Sequence, residues 1–283
     1  MSIPTTVAKA GLSRGWSELR HTLTNFQDLW GYVFPAIILL VVMLLQRGST
    51  VGPTGFSLGA TTLPGAIGMG IAFSGFTSVA AQLMLEREDG TLLRNKAIPH
   101  GMTGYMIGKI VLTIGASVVS MLVLLIPGLL IFDGLQIGPF DVLFLIVVFV
   151  LGMAATMPFG AMIGSLFTNP SNMGFVMLPM MGLIGVSGIF YPLAKFPEFL
   201  QVIGQIFPIY WLGLGMRSTM LPDALASVEI GESWRQLETV GVLGVWAVIG
   251  LVLAPMVLRR MARRESGSAV AARRERAISG RRG

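Results

Sequence analysis

Six charged side chains, Glu86, Arg87, Glu88, Asp89, Arg94 and Lys96, fall within residues 86–100, a polar island set between two apolar runs. No Asp, Glu, Lys or Arg occurs from position 48 to 85, and none from 110 to 132. Acids and bases interleaved in so short a segment suit ion pairing and the seating of another polypeptide; they do not assemble a bond-making site. Asp89-Gly90 reads as a turn, after which Asp89 or Thr91 would cap a short helix running to Lys96, with Leu92, Leu93, Ala97 and Ile98 free to face a bilayer or a partner's groove. An ordinary solvated loop is the alternative on spacing alone.

Other chemistry is sparse. The chain has no cysteine and only two histidines, His21 and His100, in separate polar segments, which leaves no thiolate site and argues against a paired-histidine metal site. Gly108-Lys109 resembles the end of a phosphate loop. That motif needs a Gly five residues earlier and a Ser or Thr next, where this chain has Thr103 and Ile110. The central turns of the apolar segments carry no ionisable residue, the usual sign of a proton or ion pathway. No ATP hydrolysis by the chain alone is expected, and a proton-coupled transporter, an ion pump and an intramembrane protease are all disfavoured.

The elements that hold the island follow from hydropathy. Of 283 residues, 53% are hydrophobic and 12% charged, against roughly 25% charged in soluble domains. A soluble chain of this size would lack its charged coat, so the composition implies a polytopic all-α membrane protein. A helix needs about 20 apolar residues to cross. Six segments meet this, near residues 29–45, 62–85, 105–131 and 239–258, with the fourth and fifth sharing the uncharged stretch 142–194 and divided by Thr168-Asn169-Pro170-Ser171-Asn172. Six crossings place both termini on one side. Sixteen of the twenty Lys and Arg lie in the N-terminal segment, in residues 86–109 or in the tail, against Arg47, Lys195, Arg217 and Arg235 on the other side. The positive-inside rule then puts both termini and the island in the cytoplasm. No cleavable signal peptide is expected, since the first apolar run starts only near Leu29.

Two further segments are helical without spanning. Leu12, Trp16, Leu19, Leu23, Phe26 and Trp30 form one apolar stripe, the pattern of an amphipathic helix on the inner leaflet, or of one packed on a soluble partner. Residues 199–215 are uncharged but broken by Pro208, which suggests a re-entrant hairpin dipping in from outside between the last two spans. The chain reads as one domain: residues 1–28 an amphipathic start, 29–258 the six spans, and 259–283 a basic tail. That tail holds nine Lys and Arg, and directly after an apolar helix it anchors on anionic lipid rather than on nucleic acid.

The island resembles the cytoplasmic loop of ABC-2 type permeases, the membrane subunits of one class of ABC exporter. Glu86, Glu88, Gly90, Thr91, Pro99, Gly108 and Lys109 match the family's pattern in order, although Leu92-Leu93-Arg94-Asn95-Lys96 stands where many members carry a further acid. Gly188-Ile189-Phe190-Tyr191-Pro192, Phe196-Pro197, Phe207-Pro208, Tyr210-Trp211 and Arg217 resemble the family's signature between its last two spans. The resemblance implies a bacterial plasma-membrane exporter in which two permeases, identical or paralogous, pair with two ABC ATPase subunits that bind ATP and Mg. It implies that Glu86, Arg87, Glu88, Asp89, Gly90, Thr91, Leu92, Leu93 and Pro99 couple to the ATPase. Gly188, Tyr191, Pro192, Pro208, Tyr210 and Arg217 carry the signature.

Two patterns bear on substrate and assembly. Met177, Met180 and Met181 with Phe73, Phe76 and Phe190 suggest a soft path for hydrophobic or amphipathic molecules, drug-like or lipid-like, as in multidrug efflux; routine core packing by Met is the rival. Gly104-xxx-Gly108 and Gly160-xxx-Gly164 suit close helix contact, within the chain in preference to a dimer seam. Export of a lipid-linked glycan, a membrane scaffold that moves nothing, and a facilitator without an ATPase are the alternative functions.

Overall fold

Asn25 accepts a hydrogen bond from the Gln27 N–H at 3.0 Å and so divides two consecutive helices, α1 (Thr5–Thr24) and α2 (Phe26–Leu45). In the computed structural model, which describes residues 5–49, 56–167, 173–190 and 192–264, nine more α-helices follow. They are α3 (Leu58–Phe73), α4 (Val79–Glu88), α5 (Thr91–Lys96), α6 (Gly101–Ile131), α7 (Pro139–Leu166), α8 (Met173–Gly185), α9 (Glu198–Ile206), α10 (Pro208–Met220) and α11 (Gln236–Arg264). No strand occurs among the described residues. Tyr191, the turn-forming run at 168–172 and most of the basic tail lie outside them.

Among the described residues, five helices are long and apolar enough to cross a membrane: Phe26–Leu45, Leu58–Glu88, Gly101–Ile131, Pro139–Leu166 and Gln236–Met261. Each contains one of the expected segments. Their outer faces are apolar, with Ile38, Val41, Leu143, Val150, Val248 and Val252 all exposed, as lipid as solvent requires.

The expected fifth segment differs. Only Met173–Gly185 is helical, 13 residues, which at 1.5 Å per residue reach about 20 Å against a hydrocarbon core of about 30 Å. The chain turns at Gly188, whose φ of +70° suits a residue without Cβ, and sends Ile189 and Leu193 back into the core. Among the described residues, the pair α9 and α10, bent by 88° at Phe207-Pro208, makes a sixth crossing if counted as one broken span and is otherwise a re-entrant loop, as expected for residues 199–215. Proline is tolerated there because it opens a helix, where its missing N–H has no partner to lose.

Every residue of α10 is buried. It runs through the bundle between α3, α7 and α11. A helix so enclosed cannot be separated from its neighbours by large side chains: a Cβ on Gly68 of α3 would lie 2.8 Å from the Gly213 nitrogen of α10. The long helix from α3 to α4 is continuous but widens into one π turn at Ser74–Ser78. Thr77 Oγ1 donates to the Phe73 carbonyl at 2.5 Å, and the Ser74 and Ser117 hydroxyls are hydrogen-bonded to each other. The turn pushes its backbone against α7, so that a Cβ on Gly160 would lie 2.3 Å from the Gly75 carbonyl oxygen. Gly160 and Gly164 thus serve packing within the chain.

Candidate functional site

The island begins where α4 ends. Gly90, at φ +76°, takes the left-handed conformation that stops α4 and caps α5. Thr91 is the first helical residue, so neither it nor Asp89 is the capping residue expected from the sequence; a glycine fits the turn without strain and takes their place. Leu92 is buried in one apolar cluster with Leu83, Tyr105, Ala161, Leu258 and Met261, and α5 packs on α4 and α6. Arg87 is buried too, and its Nη1 donates to the Ser165 and Phe167 carbonyls at 2.7 and 3.0 Å. It closes the C-terminus of α7, where orphan carbonyls and the helix dipole both favour a cation.

Glu86 faces the other way. Its Oε1 lies 2.7 Å from Lys109 Nζ, and the same ammonium donates to Glu18 Oε2 at 2.9 Å. Glu18 Oε1 accepts from Arg14 Nε at 2.9 Å, and Arg14 Nη1 donates to Asn95 Oδ1 at 2.8 Å. Asn95 completes the chain by donating to the Thr91 carbonyl at 3.1 Å. Arg14 and Lys109 also lie 5.6 and 5.9 Å from the Tyr105 ring centroid. Four helices, α1, α4, α5 and α6, are thereby locked by one charge-balanced bracket, with Arg14 and Lys109 against Glu18 and Glu86.

The bracket exists because α1 lies against α6 with backbones in contact. A Cβ on Gly11 would meet the Gly104 carbonyl oxygen at 2.7 Å, and one on Gly15 would meet that of Gly108 at 2.6 Å. The apolar stripe of α1 is not the packed face: Leu12 and Trp16 are exposed, and of the stripe only Leu19 is buried. An outward apolar stripe is the arrangement expected of a helix lying on lipid.

Burial alone would raise the Glu18 pKa, but the hydrogen bonds from Lys109 and Arg14 outweigh it and hold the carboxyl below its ordinary value. A depressed folded-state pKa means that Glu18 stabilises the bracket above the unfolded-state value and loses that contribution as pH falls through the folded one. Acidification from pH 8 to 6 should therefore leave α1 docked, with release only at pH values below the ordinary carboxylate range. Dipolar broadening between nitroxides at Ser13→Cys and Thr103→Cys checks this; broadening lost near pH 6 would contradict it.

Of the other expected coupling residues, Glu88, Gly90, Thr91 and Leu93 are half-buried, while Asp89 and Pro99 are exposed. Arg94, Ala97 and Ile98 share the open edge. Sequence reasoning missed Arg14, Glu18 and Asn95. The charges off the stripe of α1 were visible, but their partners lie 81 and 91 residues away.

The residues of the expected substrate path differ in burial. Phe76 and Met180 are core residues, Phe73 and Met177 are half-buried, and Met181 and Phe190 face outward. No group of three His, Asp or Glu able to hold a metal occurs among the described residues.

At the opposite end, Gly188, Tyr210 and Arg217 are buried together. Arg217 Nη1 donates to the Gly188 carbonyl at 3.2 Å, Nε lies 2.7 Å from Glu229 Oε1, and Nη2 donates to Oε2 at 3.3 Å. Both side chains are about 95% buried (5% and 4% exposed). Glu229 is the partner that the sequence did not single out. Pro208 forms the elbow, and Pro192 opens the 3-10 turn Leu193–Lys195.

The family profile described as ABC-2 family transporter protein matches residues 53–254. No curated protein matches the chain. The matched stretch contains the π turn, the island, the α9–α10 elbow and the Arg217–Glu229 pair, and it covers well over half of the sequence. The chain therefore belongs to the ABC-2 transporter family, as a multi-pass membrane transport subunit of the ABC-2 permease type.

Proposed function

We propose that the chain is the permease of an ATP-driven exporter that carries hydrophobic or amphipathic molecules out of the cytoplasm or its inner leaflet. The island receives the stroke of a separate ABC ATPase, which holds the ATP and Mg. Two ATPase copies and a second permease complete the assembly, in a bacterial plasma membrane with both permease termini in the cytoplasm. The observation that carries this reading is the bracket. A piece that transmits motion must be rigidly joined to what it moves, since a conformational change needs contacts that differ between states. α5 is joined to α4 and α6 by packing and to α1 by the Arg14–Asn95 hydrogen bond, through which the Glu86–Lys109–Glu18–Arg14 chain reaches it, while Arg94, Ala97, Ile98 and Pro99 are exposed.

The cysteine-free chain makes the test direct. A single Cys at Asp89, Ala97 or Ile98 should crosslink to an ABC ATPase co-expressed from the same genomic neighbourhood, whereas Leu237→Cys, at the opposite end of the bundle and 87% exposed, should not. Equal yields at both ends, or no ATPase captured at any island position, would sink the docking reading. A scaffold would show no substrate-stimulated ATP hydrolysis once reconstituted.

A further inference from the structure

A cavity of about 350 Å³ lies between α4, α6, α7 and α11, at the island end of the bundle. Its volume is in the range of small-ligand sites. Met102, Met106, Met153, Met157 and Met261 line it, giving a soft, polarizable wall that adapts to chains of varied shape. It opens sideways, past Ile110, Val150 and Leu251, which are all exposed on faces that meet lipid. None of the six residues expected to form the substrate path lines it.

One wall is polar. Gln82, Tyr105 and Lys109 reach the cavity. Gln82 hydrogen-bonds Tyr32, yet its Oε1 is buried with no donor. One helical turn on, Glu86 gives Oε1 to Lys109; Tyr105 approaches it, but Oε2 is left without a hydrogen bond of good geometry. Buried acceptors without donors cost about 1–3 kcal/mol each, and a ligand that supplies donors recovers part of that. The sign of the wall is also set. Lys109 is already shared by two carboxylates, so an anionic headgroup would compete with Glu86 and Glu18 for it, and the bracket carries no net charge to attract a cation.

We infer that this cavity binds a neutral amphiphile, its alkyl chain along the methionines and its hydroxyl-bearing end on Gln82. The site rests on the transport reading only for the step it serves, the loading of a molecule from the adjoining leaflet. Binding needs no ATPase, so its failure and the failure of ATPase docking are separate results.

The test uses the full chain, labelled with 13C-methyl methionine, in phosphatidylcholine nanodiscs, whose headgroups donate no hydrogen bonds. Monolauroylglycerol and methyl laurate share one alkyl chain, and only the first carries hydroxyls. Monolauroylglycerol should shift the Met102, Met106, Met153 and Met157 methyl resonances saturably, with methyl laurate weaker by roughly tenfold, the ratio given by about one net hydrogen bond. Gln82→Leu should bring the two probes level, and Met153→Trp, which fills the cavity, should remove both responses. Equal affinities in the wild type, shifts that survive Met153→Trp, or no saturable shift would each overturn the inference. Should Gln82→Leu not insert, the wild-type comparison decides alone.

Discussion

Replacing Lys109 with Met is expected to lower transport tenfold or more while ATP hydrolysis by the assembled complex persists. Lys109 is the hub between Glu86 at 2.7 Å and Glu18 at 2.9 Å, with side chains 15% and 29% exposed. Without the ammonium, two carboxylates face each other with Arg14 as the remaining cation of the bracket. Breaking a fully buried pair costs about 3–5 kcal/mol; partial exposure here reduces that to about 1–3 kcal/mol. That is small against the stability of the bundle and large against the coupling free energies, about 1–3 kcal/mol, by which one site moves another. The permease should therefore insert normally and lose its grip on α5. Substrate uptake into inside-out vesicles, measured beside phosphate release, separates the two effects. Lys109→Arg should retain much of the coupling. The swap of Glu86→Lys with Lys109→Glu should restore only part, because the carboxylate introduced at position 109 faces Glu18. Full coupling in Lys109→Met would remove the bracket from the mechanism.

What the sequence discloses about this fold depends on which physical rule each element obeys. The long helices obey hydropathy, and α2, α6, α7 and α11 each contain an expected segment. The island obeys charge exclusion from lipid, so its borders at Glu86 and His100 were readable. Packing inside the bundle obeys something else. In water an apolar stripe marks the buried face, but lipid is as apolar as Leu and gives such a stripe no reason to turn inward. α1 illustrates the consequence. Its stripe of Leu12 and Trp16 was legible and is exposed, while its buried face is built on Gly11 and Gly15, which carry no hydropathy signal.

The same reasoning explains the methionines. Met177, Met180 and Met181 stood out because they are close in sequence, yet on α8 they differ in burial, Met180 in the core, Met177 half-buried and Met181 exposed. The cavity instead collects Met102, Met106, Met153, Met157 and Met261 from three helices whose adjacency no local pattern encodes. The short α8 has a related cause. Its segment was apolar enough to cross, but apolar content does not set where the helix gives way to the turn at Gly188 that sends Ile189 and Leu193 into the core. Nothing local in the sequence marks Glu229, since only the folding of the chain over α10 brings it to Arg217.

That pair yields the second large effect, and its signature is non-additivity. Arg217→Met leaves the Glu229 carboxylate buried with no cation and takes a donor from the Gly188 carbonyl; Glu229→Leu leaves the guanidinium buried without its counter-charge. Each single change should cost about 3–5 kcal/mol, and lower the unfolding midpoint in nanodiscs by on the order of 10 °C. The double variant Arg217→Met/Glu229→Leu should cost less than either, because no unpaired charge remains and an apolar pair fills much of the same space. Arg217→Lys keeps the charge but not the planar fork that spans both carboxylate oxygens, so it should fall between wild type and Arg217→Met. Costs that simply add in the double variant would mean that the two residues act independently. Because Arg217 sits on the wholly buried α10 and Glu229 on the 3-10 turns that cover it, strong coupling would identify the ion pair as what closes the bundle at the end opposite the island.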